Sequence, residues 1–136
     1  MDYLYNLNLN EDEILDMVKV NDHISEMSSE DIYDYIYTLI DIGCNQEQIH
    51  NIIIANPFYF SRDLDDVRKF LRRFMSFDGV KYLDVLVENP WLLNKEAFEI
   101  EDYIEENKNT GLNDKEILER FILYNCKWCE TKFIKN

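Results

Sequence analysis

Apolar residues recur along most of this chain at helical spacing. Ile32, Ile36, Leu39 and Ile40 fall on one face of a predicted helix, with Ser28 or Ser29 at its N-cap and Gly43 placed to end it. Val67, Phe70, Leu71 and Phe74 repeat the pattern behind Ser61. Ala97, Phe98, Ile100 and Ile104 supply a third apolar face behind Asn94. Shorter apolar runs alternate with these long helices, and they resemble one another. "LNEDEILDMVKVND" (Leu9 to Asp22), "CNQEQIHNIIIANP" (Cys44 to Pro57) and "LNDKEILERFILYNC" (Leu112 to Cys126) share one layout, and "DGVKYLDVLVENP" (Asp78 to Pro90) is a weaker copy.

In the three clear copies, Asn10, Asn45 and Asn113 stand three residues before Glu13, Gln48 and Glu116. This is the capping-box spacing: the Asn side chain accepts from an early backbone N–H, and the acid or amide reaches back to the cap. The copies close at Asn21, Asn56, Asn89 and Asn125, a period of about 35 residues in the range of helical-repeat arrays. Pro57 and Pro90 break the chain after Asn56 and Asn89, because proline disfavours helix at the preceding residue and readily starts a new turn. The following residues predict a tight 3₁₀-like turn with Phe58, Phe60, Trp91 and Leu93 in the core. The fold class is therefore all-α: a stack of about four short repeats forming one domain over residues 1–136, with repeats at 10–125 and a tail at 126–136. Residues 1–9 are the exception, since Tyr3, Tyr5, Leu7 and Leu9 alternate with Leu4, Asn6 and Asn8 at strand period, predicting an extended N-terminal arm.

The segment "GCNQEQIHNIIIANPFYF" (Gly43 to Phe60), and after it "VKYLDVLVENPWLL" (Val80 to Leu93), resembles the repeat of the mitochondrial transcription termination factor (mTERF) family. The resemblance covers residues 30–125 and implies triads of two helices and a 3₁₀ turn, stacked into a solenoid whose basic concavity binds duplex DNA or RNA.

Charge points elsewhere. The net charge is −14, and residues 1–61 hold 12 acids against Lys19 alone. Such a field repels nucleic acid and anionic membrane and attracts basic protein surfaces. Glu30, Asp31 and Asp34 share a predicted helix with Tyr33, Tyr35 and Tyr37, and Glu101, Asp102, Glu105 and Glu106 share another with Tyr103. Carboxylates interleaved with tyrosine suit docking on a basic, nucleic-acid-binding surface, where tyrosine adds contact area and the acids steer and fix register. The expected function is a non-catalytic protein-binding module, an inhibitor or adaptor acting as a nucleic-acid mimic on a nuclease or related enzyme. The Ile-, Asn-, Asp- and Tyr-rich composition suggests an AT-rich genome, and phage inhibitors of nucleases, anti-CRISPR proteins among them, share this acidic character. The alternative is nucleic-acid binding through Arg62, Arg68, Lys69, Arg72 and Arg73, which gather opposite the apolar face of one helix; the competing reading of both charge sets is a solvated surface.

Little else carries chemistry. Cys126 and Cys129 form a Cys-x-x-Cys, but a structural zinc needs four ligands, and Cys44, His23 and His50 are each distant in sequence. No nucleophile stands at motif spacing from a histidine and no glycine-rich loop is present, so no enzyme activity, cofactor or metal is expected. No stretch is long and apolar enough to span a membrane, and the Met1-Asp2 opening lacks a basic n-region. With an odd number of cysteines, these features predict a cytoplasmic protein.

Overall fold

The computed structural model describes the backbone of residues 7–135 and the side chains of residues 7–124. It is all-helical over the described residues, as the apolar spacing predicts. The chain divides into two compact units, Met1–Leu64 and Asp65–Asn136.

The first unit contains α1 (Glu11–Val20), the 3₁₀ turn η1 (Asp22–Glu26), α2 (Ser29–Asp41), α3 (Gln46–Ala55) and the 3₁₀ turn η2 (Pro57–Ser61). Asn10 and Asn45 cap α1 and α3 through full capping boxes with Glu13 and Gln48. Ser28 caps α2 by accepting from Asp31 N–H at 3.1 Å. That helix ends as expected: Gly43 adopts φ +108°, and its N–H donates to Ile40 O while Cys44 N–H reaches Leu39 O.

The second unit contains α4 (Leu64–Phe74) from Asp65 onward, α5 (Tyr82–Glu88), the 3₁₀ turn η3 (Pro90–Asn94), α6 (Ala97–Asn107) and α7 (Asp114–Lys135). Val67, Phe70, Leu71 and Phe74 are all buried, as their spacing requires. The third capping box forms at Asn113 and Glu116.

The three 3₁₀ turns share one register. Asn21, Asn56 and Asn89 each end a helix in a similar non-helical conformation (φ between −141° and −133°, ψ between 65° and 92°), with the backbone N–H still bonded to the carbonyl four residues back. A 3₁₀ turn follows immediately in each case. The turn advances three residues per revolution, so its side chains divide between faces differently from those of an α-helix. Pro57, Tyr59 and Phe60 face inward and Phe58 outward; Pro90, Leu92 and Leu93 are buried while Trp91 is only half-buried. Tyr59 and Leu92 thus fill the core positions expected for Phe58 and Trp91, and Phe58 is 42% exposed. Ile24 is the equivalent anchor of η1, which lacks a proline.

Five expectations shift. Ser61 closes η2 and accepts from Asn21 Nδ2, and is not the cap of the following helix. The cap of α6 is Glu96, two residues beyond Asn94, and Glu99 reaches back to its N–H at 2.7 Å. Ile40 and Phe98 lie on the edges of their apolar faces and are 46% and 62% exposed. The backbone of α7 runs through Asn125 to Lys135, so no break occurs at the fourth closing Asn. At the N-terminus, Leu7 and Leu9 are buried on either side of Asn8, whose φ of +64° makes a turn instead of an extended strand; Tyr3 and Tyr5 lie outside the described residues.

Candidate interaction surfaces

The first surface is built on α2. The first-turn acids Glu30 and Asp31 sit at the positive end of the helix, just after the Ser28 cap. Successive residues turn by about 100°, which divides the helix into three faces. Ile32, Ile36 and Leu39 are buried. Beside them runs a stripe of Tyr33, Tyr37 and Ile40, exposed by 39%, 49% and 46%. The two rings lie 5.8 Å apart, tilted by 33°. Next comes a row of exposed carboxylates: Glu30, Asp41 and, further round, Asp34. None of these three has an ion pair among the described residues.

Tyr35 departs from the expected docking set by turning inward. Its hydroxyl donates to Arg62 O at 2.5 Å, and its ring meets Tyr59 edge-on at 5.3 Å. The Tyr59 hydroxyl returns a bond to Tyr35 O at 2.6 Å. Burial raises the Tyr35 pKa, as do Asp63 and Asp31 nearby. On this side, His23, Asp31, Asp34 and Asp63 line a polar cleft of about 300 Å³.

On the other side of the stripe an apolar groove of about 340 Å³ runs between α2 and the start of α3. Its floor includes Leu7, Ile36, Cys44 and Ile49, with Tyr33 and Ile40 along the wall. Burial pushes the Cys44 thiol up to about 11, so it contributes an apolar surface, not a thiolate. A polar cluster lies nearby on α1 and α3: His50 Nδ1 is 2.9 Å from Leu7 O, and Nε2 is 3.1 Å from Glu13 Oε2. The capping bond to Asn10 N–H, helped by His50, holds the Glu13 carboxyl below its usual range.

The second acidic set lies on α6. Glu101, Asp102, Glu105 and Glu106 are all exposed, but Glu101 pairs with Arg73 of α4 and Glu105 with Lys108 at 3.1 Å. Tyr103 turns inward, edge-on to Phe121 at 5.6 Å. The basic residues of α4 are similarly occupied. Arg68 pairs with Asp65 at 3.3 Å; Arg73, besides Glu101, reaches Ser76 Oγ at 2.8 Å and lies over the Phe77 ring at 4.7 Å. Lys69 and Arg72 are exposed. Arg62 belongs to the first unit, is half-buried, and offers its carbonyl to Tyr35. Thus one acid of the expected docking set and one base of the alternative set bind each other.

Among the described residues no three His, Cys, Asp or Glu gather as a metal site, and no helix is long and apolar enough to cross a membrane. The side chains of Cys126 and Cys129 lie outside the described residues. No family model, curated protein or solved structure matches the chain.

Proposed function

We propose that this protein is a non-catalytic, acidic protein-binding module, an inhibitor or adaptor that docks on the basic surface of a nucleic-acid-binding partner. The observation that carries this reading is the contrast between charged faces. The α2 carboxylates Glu30, Asp34 and Asp41 are exposed and have no ion pair among the described residues, whereas Arg68 and Arg73 of the basic helix are tied to carboxylates of their own chain. An open row of acids attracts a basic partner and speeds encounter, while bases already neutralised by acids release few phosphate counterions. The action proposed is nucleic-acid mimicry on a nuclease or similar enzyme in the cytoplasm, of the kind used by phage anti-defence proteins. For the framework we propose mTERF-like repeats, supported by helix, 3₁₀ turn and helix recurring in register at Asn21, Asn56 and Asn89. Affinity capture from the source cell tests the reading, with a salt-series gel shift on duplex DNA and RNA beside it. The expected result is a basic, nucleic-acid-binding partner and no shift at physiological salt. Tight shifting that is lost on reversing Arg68, Arg72 and Arg73 to Glu would establish the nucleic-acid-binding alternative.

A further inference from the structure

The α2 stripe and the groove beside it define a narrower partner chemistry than acidity alone. We infer that this surface is the docking site for a basic amphipathic α-helix of the partner; the inference rests on the acidic-module reading and specifies its contact. Tyr33, Tyr37 and Ile40 follow i, i+4, i+7 spacing and cover two helical turns, or roughly 10 Å along the axis. A partner helix with apolar residues at the same interval presents a matching ridge, and the adjoining groove of about 340 Å³ receives its side chains. Two tyrosines offer large contact area at low entropic cost, the usual makeup of interface anchors. The chemistry of the border selects the occupant. Glu30, Asp41 and Asp34 run along one side of the stripe, so Lys or Arg flanking the partner's apolar ridge would meet exposed carboxylates that pair with no base among the described residues.

The same border disfavours the other occupants of an apolar helix face. A second copy would bring two rows of carboxylates together on molecules that each carry a net charge of −14. An anionic membrane surface would meet the same repulsion, since interfacial helices bind it through Lys and Arg on the polar face. A nucleic acid is excluded on the same ground.

The test uses a fluorescent 18-residue peptide, Leu on one helical face and Lys on the other, titrated with the full chain at about 150 mM salt, where long-range charge attraction is screened beyond about 8 Å. Two control peptides of the same net charge are a scrambled sequence and one with a central proline that breaks the helix. The designed peptide should bind at least tenfold more tightly than either control. Tyr37→Ala and Ile40→Ser, both at exposed positions and checked for unchanged circular dichroism, should each weaken it about tenfold or more, the loss typical of an interface anchor. Glu30→Gln with Asp34→Asn should flatten the salt dependence, and Phe98→Ala, on the other unit, should change nothing. If all three peptides bind alike and Tyr37→Ala is silent, the groove is overturned while the acidic-module reading stands. If no cationic peptide binds, both fall. A concentration-dependent dimer by light scattering that Ile40→Ser abolishes would assign the surface to a second copy and overturn the inference.

Discussion

Asn21 is a side chain whose removal should damage the first unit without changing its hydrophobic content. It ends α1 and is 8% exposed; its Nδ2 donates to Pro57 O at 3.1 Å and to Ser61 Oγ at 2.8 Å. Those bonds join η1 to the two ends of η2, so the break in one repeat holds the break in the next. Each is worth about 1 kcal/mol net, and a buried carbonyl that loses its partner adds a penalty of about 1 kcal/mol or more. Asn21→Ala should therefore cost about 2–3 kcal/mol, a large share of a typical total of roughly 5–15 kcal/mol. Asn21→Asp is the sharper perturbation. It keeps the volume but replaces the donor with an oxygen facing the Pro57 carbonyl, so at neutral pH it should be at least as damaging as alanine. Urea denaturation followed by far-UV circular dichroism measures both. Ser61→Ala alone should cost about 1 kcal/mol, and its effect should largely vanish in the Asn21→Ala background because the two share a bond. Hydrogen exchange gives a local reading: the Arg62 amide, bonded to Tyr59 O at 3.0 Å, should lose protection in Asn21→Ala. A cost under about 0.5 kcal/mol for Asn21→Ala, or an Asn21→Asp protein as stable as the parent, would refute the reasoning.

Three further perturbations separate packing from surface. Phe60→Ala should cost about 3–5 kcal/mol and Phe58→Ala well under 1 kcal/mol, because Phe60 is fully buried and Phe58 is 42% exposed; paired denaturation curves decide it. With Cys126 and Cys129 replaced by serine, Cys44 should react with a thiol reagent at pH 8 at least about 100-fold more slowly than in the unfolded chain. Its pKa is pushed from 9.0 to about 11, and thiolate content falls about tenfold per unit. Glu13→Gln should keep the capping box, as Gln48 does at Asn45, and should flatten the acid limb of the stability curve. A carboxyl lowered from 4.5 in the folded state contributes stability that is present above pH 4.5 and lost as pH falls through the folded value, and glutamine removes that loss; an unchanged slope below pH 4.5 would contradict it.

The sequence was most legible where one residue type has one local physical role. Asn three residues before Glu or Gln marked three capping boxes, and Gly43 marked the end of α2, because these motifs satisfy backbone groups within a single turn. The breaks at Pro57 and Pro90 were equally plain, and the one at Asn21 was fainter because it has no proline. The inward face of each turn was harder to read. Phe58, Tyr59 and Phe60 are similar in hydropathy, and only the three-residue pitch of the 3₁₀ turn decides which two are buried. The cap of α6 moved from Asn94 to Glu96 because η3 occupies the residues through Asn94 before the α-helix can start. The Arg73–Glu101 pair joins two helices across 28 residues and had no local sign at all, although it ties together members of both candidate charge sets.

The misplaced apolar residues are the informative ones. Ile40 fits the period of a buried face, yet it is 46% exposed on the same stripe as Tyr33 and Tyr37. A single exposed apolar residue is ordinary, since apolar atoms make up much of any protein surface. Three in a row at helical spacing, flanked by a groove and by exposed carboxylates, form a patch of the kind that marks an interaction site. Phe58 and Phe98 are exposed too, but neither lines the groove, and Phe98 belongs to the other unit. Local propensity and global fold generally agree in a natural sequence, and departures concentrate at functional sites. On α2 the single departure, Ile40, extends an exposed tyrosine pair into a stripe over two turns beside a row of carboxylates, which has the form of a binding surface.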